Sequence, residues 1–344
     1  MKEPLFGKTL AQLREIVKEL DLPKFTANQI ADWLYKKDIT SIGEMLNISK
    51  KARGLLEENF EFGLTNHESV FTSTDGTKKY LFPVENGKFI ESAYIPEKNR
   101  ATLCVSSQVG CRMGCRFCMT GKQGFQGNLS ASEILNQIRS LPEKENLTNI
   151  VYMGMGEPFD NYQNVIQSLE ILTSEWGFAK SPRRITVSTI GVIPAMIKFL
   201  NESECHLAVS LHSPFDEERM ELMPVQNNHP IEEVLSVIRK FDISGQRRIS
   251  FEYIMFKGLN DTSRHINQLA RILDGIRCRI NLIRFHPIHD SPYKSPEYPV
   301  IEQFMEGLNK KGIRATLRAS RGQDIEAACG LLSTREQNNR DKKN

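Results

Sequence analysis

The sequence contains no long hydrophobic segment. No stretch approaches the roughly 18 to 20 apolar residues that a membrane-spanning helix requires, and the N-terminal residues carry charges throughout, unlike a secretory signal. We find no internal repeat and no low-complexity run. The formal net charge is only +3, which permits a nucleic-acid partner without indicating one. We therefore expect a cytoplasmic protein that does not contact a membrane.

Cysteine is scarce except in one place. The chain has seven cysteines, an odd number, and four of them fall within residues 104–118. In a reducing compartment such clustering indicates a metal site or catalysis rather than a disulfide framework. With 344 residues, 40% of them hydrophobic, the chain can bury a substantial core without covalent cross-links.

The sequence pattern changes character twice along the chain. Apolar residues at helical spacing come first, a β-rich stretch with an Asn-Gly turn follows, and strands then alternate with helices. The last ten residues, 335–344, are polar and carry four basic and two acidic side chains. The predicted divisions are an N-terminal helical accessory domain over 1–62, a β-hairpin extension over 63–100, a strand–helix core over 101–333 and a disordered basic tail over 334–344.

The pattern of the core predicts six strand–helix units and a last strand, and the first strand is expected over residues 101–108. Strands alternating with helices of this length predict an α/β fold with a parallel sheet. The pattern alone is compatible with an open doubly wound sheet or with a partial barrel. In both folds, functional residues collect at the carboxyl ends of the strands.

The strongest motif is a cysteine triplet in the loop after the first core strand. Cys111, Cys115 and Cys118 have the spacing Cys-x3-Cys-x2-Cys. A [4Fe–4S] cluster commonly has four cysteine ligands, so three local thiolates would leave one iron open to a reacting ligand. A structural zinc site or a redox pair is the alternative, although a structural zinc ion is normally bound by four closed ligands.

Three further strings have local interpretations of their own. Gly154-Met-Gly-Glu157-Pro follows a strand, and such a sequence forms either a tight turn or a backbone surface that a ligand can approach. Ser188 and Ser210 end two other strands, where a hydroxyl serves equally well as a cap or as a ligand contact.

Taken together, these strings resemble the RlmN/Cfr family of radical S-adenosylmethionine RNA adenine methyltransferases. The strings that carry the resemblance are LCVSSQVGC, the cysteine triplet, GMGEP and DIEAACG near the C-terminus, in that order. The resemblance implies a partial (β/α)6 barrel with a small helical N-terminal domain and a short β extension. It also implies a [4Fe–4S] cluster held by the cysteine triplet, with one open iron for S-adenosylmethionine.

The resemblance also implies which residues contact S-adenosylmethionine. In the family, the Glu157 position is suited to the amino group of the cofactor. The His286 position departs from the pattern, because better-known members carry Asn before the following proline. The implied cofactor-binding residues are Gly156, Glu157, Ser188, Ser210, Leu211, His212 and His286.

Three catalytic residues are implied in the same way. Cys329 would accept a methyl group from one S-adenosylmethionine, and a radical made from a second molecule would activate that methyl group for addition to adenine. Glu91 would then remove the ring proton, with Cys104 as a competing candidate. Attack by Cys104 on the Cys329 sulfur would release the RNA and leave a transient disulfide.

The last strand adds basic residues near the proposed methyl carrier. Arg314, Thr316, Arg318 and Ser320 alternate along one face of it, and Arg321 follows. This pattern indicates positive charge suited to RNA phosphates.

The resemblance further implies adenine carbon 2 in 23S rRNA and in some tRNAs as the target. We expect a monomer that receives electrons from a flavodoxin or ferredoxin. The carbon-8 branch of the family is the rival, but it tends to carry Ala where this chain has Pro158. An RNA-binding protein with a merely structural metal is a further alternative.

Overall fold

The structure is a computed structural model that describes residues 2–241, 245 and 247–334. The predicted basic tail lies outside these residues, apart from Thr334. In the described part of the chain, no helix has both the length and the apolar character needed to cross a bilayer.

The secondary structure follows the predicted alternation. The strands are β1 Glu3–Pro4, β2 Phe60–Glu61, β3 Ser69–Thr72, β4 Lys78–Val84, β5 Lys88–Glu97, β6 Arg100–Cys104, β7 Gln108–Val109, β8 Gly127–Asn128, β9 Asn149–Tyr152, β10 Ile185–Thr189, β11 His206–Ser210, β12 Ile249–Met255, β13 Cys278–Arg284 and β14 Arg314–Arg318. The α-helices are α1 Leu10–Glu19, α2 Thr26–Lys36, α3 Lys50–Asn59, α4 Met119–Gln123, α5 Ala131–Arg139, α6 Tyr162–Thr173, α7 Ile193–Glu202, α8 Asp216–Leu222, α9 Ile231–Arg239, α10 Ser263–Ile272 and α11 Tyr298–Lys310.

One 10-stranded sheet forms the scaffold, with the order β14-β13-β12-β11-β10-β9-β6-β5-β4-β3. The seven strands from β6 to β14 that belong to this sheet are all parallel. Their order follows the chain without reversal, whereas a doubly wound sheet reverses its order at a switch point. Right-handed crossovers in one direction put the helices on one face, so the fold is a partial barrel, as the family resemblance implied.

The β extension continues the barrel sheet on its β6 edge. Strands β3, β4, β5 and β6 pair antiparallel in succession. The turn between β4 and β5 contains Asn86 and Gly87 at positive φ, which an Asn-Gly pair tolerates well. The extension thus adds a further wall beside the first barrel strand.

The N-terminal helices pack on the outer face of the barrel. Buried apolar residues of α1 and α2 belong to the same core as those of the barrel helices. The Tyr35 ring contacts both Trp176 and Phe178, with centroid separations of 5.9 Å and 5.6 Å. The exposed carboxylate of Asp38 binds Arg139 of α5 at 2.5 Å. The N-terminal helices therefore share one continuous hydrophobic core with the barrel.

The first barrel strand is shorter than the sequence predicted. β6 ends at Cys104, and the expected strand over residues 101–108 stops there. The Gln137 side chain explains the end of the strand, because it accepts from the Ser106 N–H at 2.8 Å and donates to the Ser106 carbonyl at 2.9 Å. A side-chain amide thus replaces the neighbouring strand and turns the chain towards the cysteine loop.

Candidate active site

The cysteine triplet lies in the loop between β6 and α4. Two short strands, β7 and β8, pair antiparallel at the base of this loop. The Cys111 N–H donates to the Gly124 carbonyl at 3.1 Å, and the Cys118 N–H donates to the Cys115 carbonyl at 3.2 Å. Cys118 is also the N-cap of α4. These backbone contacts curl the loop so that its three cysteines share one end of the barrel.

The three thiols fit an iron–sulfur cluster. Burial raises the pKa of Cys111 to about 12 and that of Cys115 well above its ordinary value, and the neighbouring cysteines raise the Cys115 pKa further. Thiols close enough to affect one another in this way become thiolate ligands when a metal centre supplies the positive charge. Among the described residues, no three metal-binding side chains are spaced for a single ion. The triplet thus remains the predicted ligand set for the cluster.

We expect Gly110→Ala to disrupt this loop. A Cβ on Gly110 would lie 1.7 Å from the Gly124 carbonyl oxygen, at a φ of +69° that disfavours any side chain. The change should destabilise the cluster-free protein by about 2 kcal/mol or more and lower its iron content after reconstitution. Urea unfolding and iron analysis measure the two effects.

Gly127→Ala provides the control, because Gly127 belongs to the partner strand in the same small sheet. A Cβ added to Gly127 would have no other atom within 4 Å, and the φ of this residue is not positive. Equal destabilisation by the two substitutions would contradict the proposed role of the Gly110 conformation.

Glu157 is buried beside the cysteine loop. Its carboxylate accepts hydrogen bonds from the N–H groups of Phe159 and Ile190, each at 3.0 Å. Burial nevertheless raises the pKa of Glu157 to about 7. Gly156 precedes it with a φ of +97° and packs against Gln108 so closely that a Cβ would clash at 2.5 Å. The GMGEP string is therefore a turn that requires glycine at position 156 and presents a buried carboxylate, which suits an ammonium group.

Ser188 and Ser210 lie near the carboxyl ends of the adjacent strands β10 and β11, and both are half-buried. Leu211 belongs to the main hydrophobic core, so a cofactor contact there would use the backbone. His212 is buried at a φ of +56°. Its Nδ1 accepts from the Ile254 N–H at 3.0 Å, which ties the end of β11 to β12.

The environment of His212 predicts a pH dependence of stability. Burial, reinforced by the Arg219 charge, lowers its pKa from 6.5 to about 3. The stabilisation that this neutral imidazole provides is complete above pH 6.5 and is lost as the pH falls towards 3, because the unfolded chain binds the proton more readily. In the cluster-free protein, wild type should lose about 3 kcal/mol more than His212→Gln between pH 8 and pH 4. Urea titrations at the two pH values test this, and parallel losses would contradict it.

Arg219 is a site residue that the sequence interpretation missed. It is fully buried, and its Nη2 donates to the carbonyls of Ile190 at 2.8 Å and Ser210 at 3.2 Å. It therefore clamps the ends of β10 and β11 against each other. The residue lies in α8 among charged neighbours, and nothing in that local pattern distinguishes it from an exposed helix arginine.

A cavity of about 560 Å³ runs through the interior of the barrel. Its lining includes Cys118, Cys104, Cys329 and His286. Cys118 of the triplet therefore shares one chamber with both implied catalytic cysteines. The His286 Nε2 lies 2.9 Å from the Ser320 hydroxyl. The residue that departs from the family pattern thus still faces the chamber.

The segment that carries Cys329 is held against the cluster loop. The Met119 N–H donates to the Gly330 carbonyl at 2.8 Å, and the Thr120 hydroxyl donates to the Leu332 carbonyl at 2.8 Å. Both donors belong to α4, which begins directly after Cys118. The structure therefore joins two motifs that are far apart in sequence.

Cys104 and Cys329 are both free thiols in the structure. Burial, and secondarily the proximity of Cys329, raises the pKa of Cys104 to about 12. Since no cysteines in the described part of the chain lie at bonding distance, the expected disulfide is not a feature of this state. A bond between them requires movement of the Cys329 segment.

Arg318 was predicted to place positive charge near the methyl carrier, and the structure places it in the cavity wall that Cys329 also lines. The nearby Cys329, followed by Glu252 and Cys104, raises its pKa against the opposing effect of burial. Its Nη1 also contacts the Met153 sulfur at 3.4 Å. Arg318 lies beside the sulfurs of Cys329 and Met153 because β14 completes the barrel sheet. The local sequence pattern does not reveal this position.

Glu91 lies on β5, the strand that pairs with the Cys104 strand β6. It is buried and pairs with the equally buried Lys79 at 3.0 Å. Its other oxygen accepts from the Ser333 N–H at 2.9 Å. Burial raises the pKa of Glu91, and the Lys79 charge opposes that rise. Glu91 therefore contacts the segment that carries Cys329, although it does not line the cavity itself.

Comparison with known families agrees with this architecture. Residues 105–270 match the Radical SAM superfamily, and residues 4–62 match the family described as "Ribosomal RNA large subunit methyltransferase N-terminal domain". A radical SAM methyltransferase from Sphaerobacter thermophilus has a similar structure, with a TM-score of 0.90 and 38% identity. The match covers 96% of this chain and 99% of that one.

Curated relatives extend the match to nearly the full length. The "Probable dual-specificity RNA methyltransferase RlmN" of Parabacteroides distasonis is 56% identical, over 97% of each chain. The "Dual-specificity RNA methyltransferase RlmN" of Syntrophus aciditrophicus is 43% identical, over 94% of each chain. Membership of the Radical SAM superfamily implies a [4Fe–4S] cluster and S-adenosylmethionine. The chain belongs to the RlmN family of radical S-adenosylmethionine methyltransferases.

Proposed function

We propose that this enzyme methylates carbon 2 of adenine in 23S rRNA and in some tRNAs through a methyl group carried on Cys329. The observation that carries the proposal is the docking of the Cys329 segment on α4, the helix that starts at Cys118. The relatives named as dual-specificity RNA methyltransferases support the choice of substrate.

Carbon 2 of adenine is electron-poor, so it does not attack a sulfonium methyl group directly. A Cys329 thiolate can do so, with the methyl group passing to sulfur and S-adenosylhomocysteine leaving. Arg318 supports this step by placing a fixed positive charge beside the sulfur. When bound, the cluster supplies the electron that cleaves a second S-adenosylmethionine to a 5′-deoxyadenosyl radical, which takes hydrogen from the methyl group on Cys329.

Addition of the methyl-derived carbon radical to the ring links Cys329 to the RNA. Glu91 is the proposed acceptor of the ring proton, and its raised pKa makes its carboxylate a stronger base than an exposed one. Cys104 is the competing acceptor, and it lines the cavity directly. Attack of the Cys104 thiolate on the Cys329 sulfur then breaks the bond between that sulfur and the transferred carbon and forms a disulfide, after the movement that brings the two sulfurs together. A proton completes the methyl group, and the one electron left on the released RNA would return to the oxidised cluster.

The release step predicts that Cys104→Ala traps the covalent protein–RNA intermediate. The linkage forms without Cys104 but has no thiol to resolve it, so turnover should fall by about a thousandfold or more. A shifted band on a denaturing gel, removed by nuclease, measures the adduct. Cys205→Ala is the matched control, since Cys205 is a buried core thiol. Normal turnover without adduct would contradict the role of Cys104.

Basic residues at the far end of the cavity support an RNA substrate. The cavity wall includes Arg183, Arg248 and Arg279 at the amino ends of the strands. Arg248 and Arg314 both lower the pKa of Arg279, adding to the larger effect of burial, which indicates a concentrated positive field. Such a field attracts the phosphate backbone.

The remaining assignments complete the proposal. We assign the reaction to a monomer in the cytoplasm, reduced by a flavodoxin or ferredoxin and using two S-adenosylmethionine molecules per turnover. Residues 1–62 act as an accessory domain and 63–100 as an extension of the core over 101–333. The family match over residues 4–62 supports the first of these divisions.

Mass spectrometry of nucleosides tests the proposal. Reconstituted enzyme, S-adenosylmethionine and a reductant are incubated with 23S rRNA and, separately, with tRNA, and the RNA is digested to nucleosides. We expect 2-methyladenosine from both substrates. A product that comigrates with 8-methyladenosine would overturn the carbon-2 assignment in favour of the carbon-8 branch.

A further inference from the structure

A buried carboxylate in the cavity wall has one oxygen that no other described residue hydrogen-bonds. Glu252 lies on β12, is 4% exposed and lines the cavity. Its Oε1 accepts from the Asn281 amide at 2.7 Å and from the Ser250 hydroxyl at 3.1 Å. Among the described residues, its Oε2 has no hydrogen-bond partner. A buried polar atom of this kind is uncommon and calls for a functional explanation.

The neighbouring strands fix the direction of this carboxylate. Asn281 pairs with Glu252 across β12 and β13, and Thr316 pairs with Asn281 across β13 and β14. The Thr316 hydroxyl donates to the side-chain oxygen of Asn281 at 3.3 Å. The side-chain NH2 group of Asn281 therefore points towards Glu252. The two donors that reach the carboxylate, Ser250 and Asn281, therefore both bind Oε1, and Oε2 is the oxygen left for a group in the cavity.

Arg318 is the nearby positive charge that acts most on Glu252, and it opposes the rise in pKa that burial causes there. It does not occupy Oε2, which has no hydrogen-bond partner among the described residues. Its guanidinium contacts the Met153 sulfur. Arg318 is therefore close to both the Cys329 sulfur and the Glu252 carboxylate. Glu252 thus lies in the same chamber as the proposed methyl carrier.

We propose that Glu252 Oε2 accepts a hydrogen bond from the exocyclic amino group of the target adenine and so selects adenine and orients its carbon 2. This inference rests on the proposed function. The amino group and carbon 2 flank the same ring nitrogen, so holding one positions the other. Guanine and hypoxanthine carry a carbonyl oxygen at the amino position, and it would face the carboxylate as a second acceptor.

The test compares two enzymes on two RNAs. Wild type and Glu252→Gln act on RNA with adenosine, or with purine riboside, at the target position, and single-turnover kcat/KM is measured for each pair. We expect loss of the amino group to cost wild type about ten- to a hundredfold more than it costs Glu252→Gln, as for a hydrogen bond to a charged group. The adenine and purine rings differ in intrinsic reactivity, but this difference affects both enzymes equally and cancels when the two enzymes are compared.

The variant has its own control for folding. Methylation of Cys329 and reconstituted iron content require no RNA, and both should match wild type in Glu252→Gln. Glu97→Gln is the matched carboxylate control, because Glu97 also lines the cavity but pairs with Arg100 at 2.7 Å. We expect Glu97→Gln to keep the wild-type sensitivity to the amino group.

Equilibrium binding separates this inference from the proposed function. The same enzyme and RNA pairs are measured by fluorescence anisotropy without S-adenosylmethionine, so the result does not depend on which carbon is methylated. A wild-type preference for adenosine that disappears in Glu252→Gln supports the inference even if carbon 8 is the target. Equal sensitivity of wild type and Glu252→Gln to the amino group, in binding and in kcat/KM, would overturn it.

Discussion

Replacement of Cys329 by alanine should abolish RNA methylation while leaving the cluster in place. The proposed reaction passes every transferred carbon through this sulfur, and removal of a covalent nucleophile costs on the order of 10⁴ to 10⁶ in rate. The change should leave the fold intact, because Cys329 is only half-buried and its segment is held by backbone and side-chain contacts at Gly330 and Leu332. Scintillation counting of RNA after incubation with methyl-labelled S-adenosylmethionine measures the loss.

The same variant separates the two stages of the reaction. Mass spectrometry should find a methyl group on Cys329 in wild type and none in Cys329→Ala, whereas 5′-deoxyadenosine should still form on reduction. Cys278→Ala is the control, because Cys278 is likewise half-buried but packs against the main core on β13. Methylated RNA from Cys329→Ala at more than about one per cent of the wild-type rate would rule out the methyl-cysteine pathway.

Replacement of Cys115 by alanine should eliminate radical chemistry altogether. The two thiols that remain in the loop would be two short of the four cysteine ligands that a [4Fe–4S] cluster commonly has, so iron content and visible absorbance should fall close to zero. Formation of 5′-deoxyadenosine should be lost with them. Anaerobic reconstitution followed by iron analysis and chromatography measures both.

The loss should come from the ligand and not from the fold. Cys115 packs in a small core with Phe117 and Met223, and exchange of a thiol for a methyl group there should cost only about 1 kcal/mol. Cys205→Ala makes a comparable change in the main core and should bind iron normally. A Cys115→Ala protein that keeps cluster-level iron would show that this cysteine is not a ligand.

Local sequence patterns predicted much of the fold. The apolar spacing in α1 and α2 and the alternation of strands with helices are confirmed, because both depend on interactions between residues close in the chain. The strand beginning at residue 101 was predicted too long, since Gln137 of a later helix ends it. Arg318 was predicted to place positive charge near Cys329, and both residues line the cavity, but the strand pattern does not show which face turns inward.

The sequence by itself determined the cysteine loop, since three ligands a few residues apart stay together in almost any fold of their loop. It also determined that parallel strands and outer helices would follow, and the family resemblance supplied the candidate residues. Only the tertiary structure decided that the strands wind in one direction and enclose a cavity. That closure brings Glu91 to the Ser333 backbone across 242 positions of sequence. It also buries Glu252 with one oxygen that has no hydrogen-bond partner among the described residues. Such contacts depend on packing between distant strands, and no local pattern encodes them.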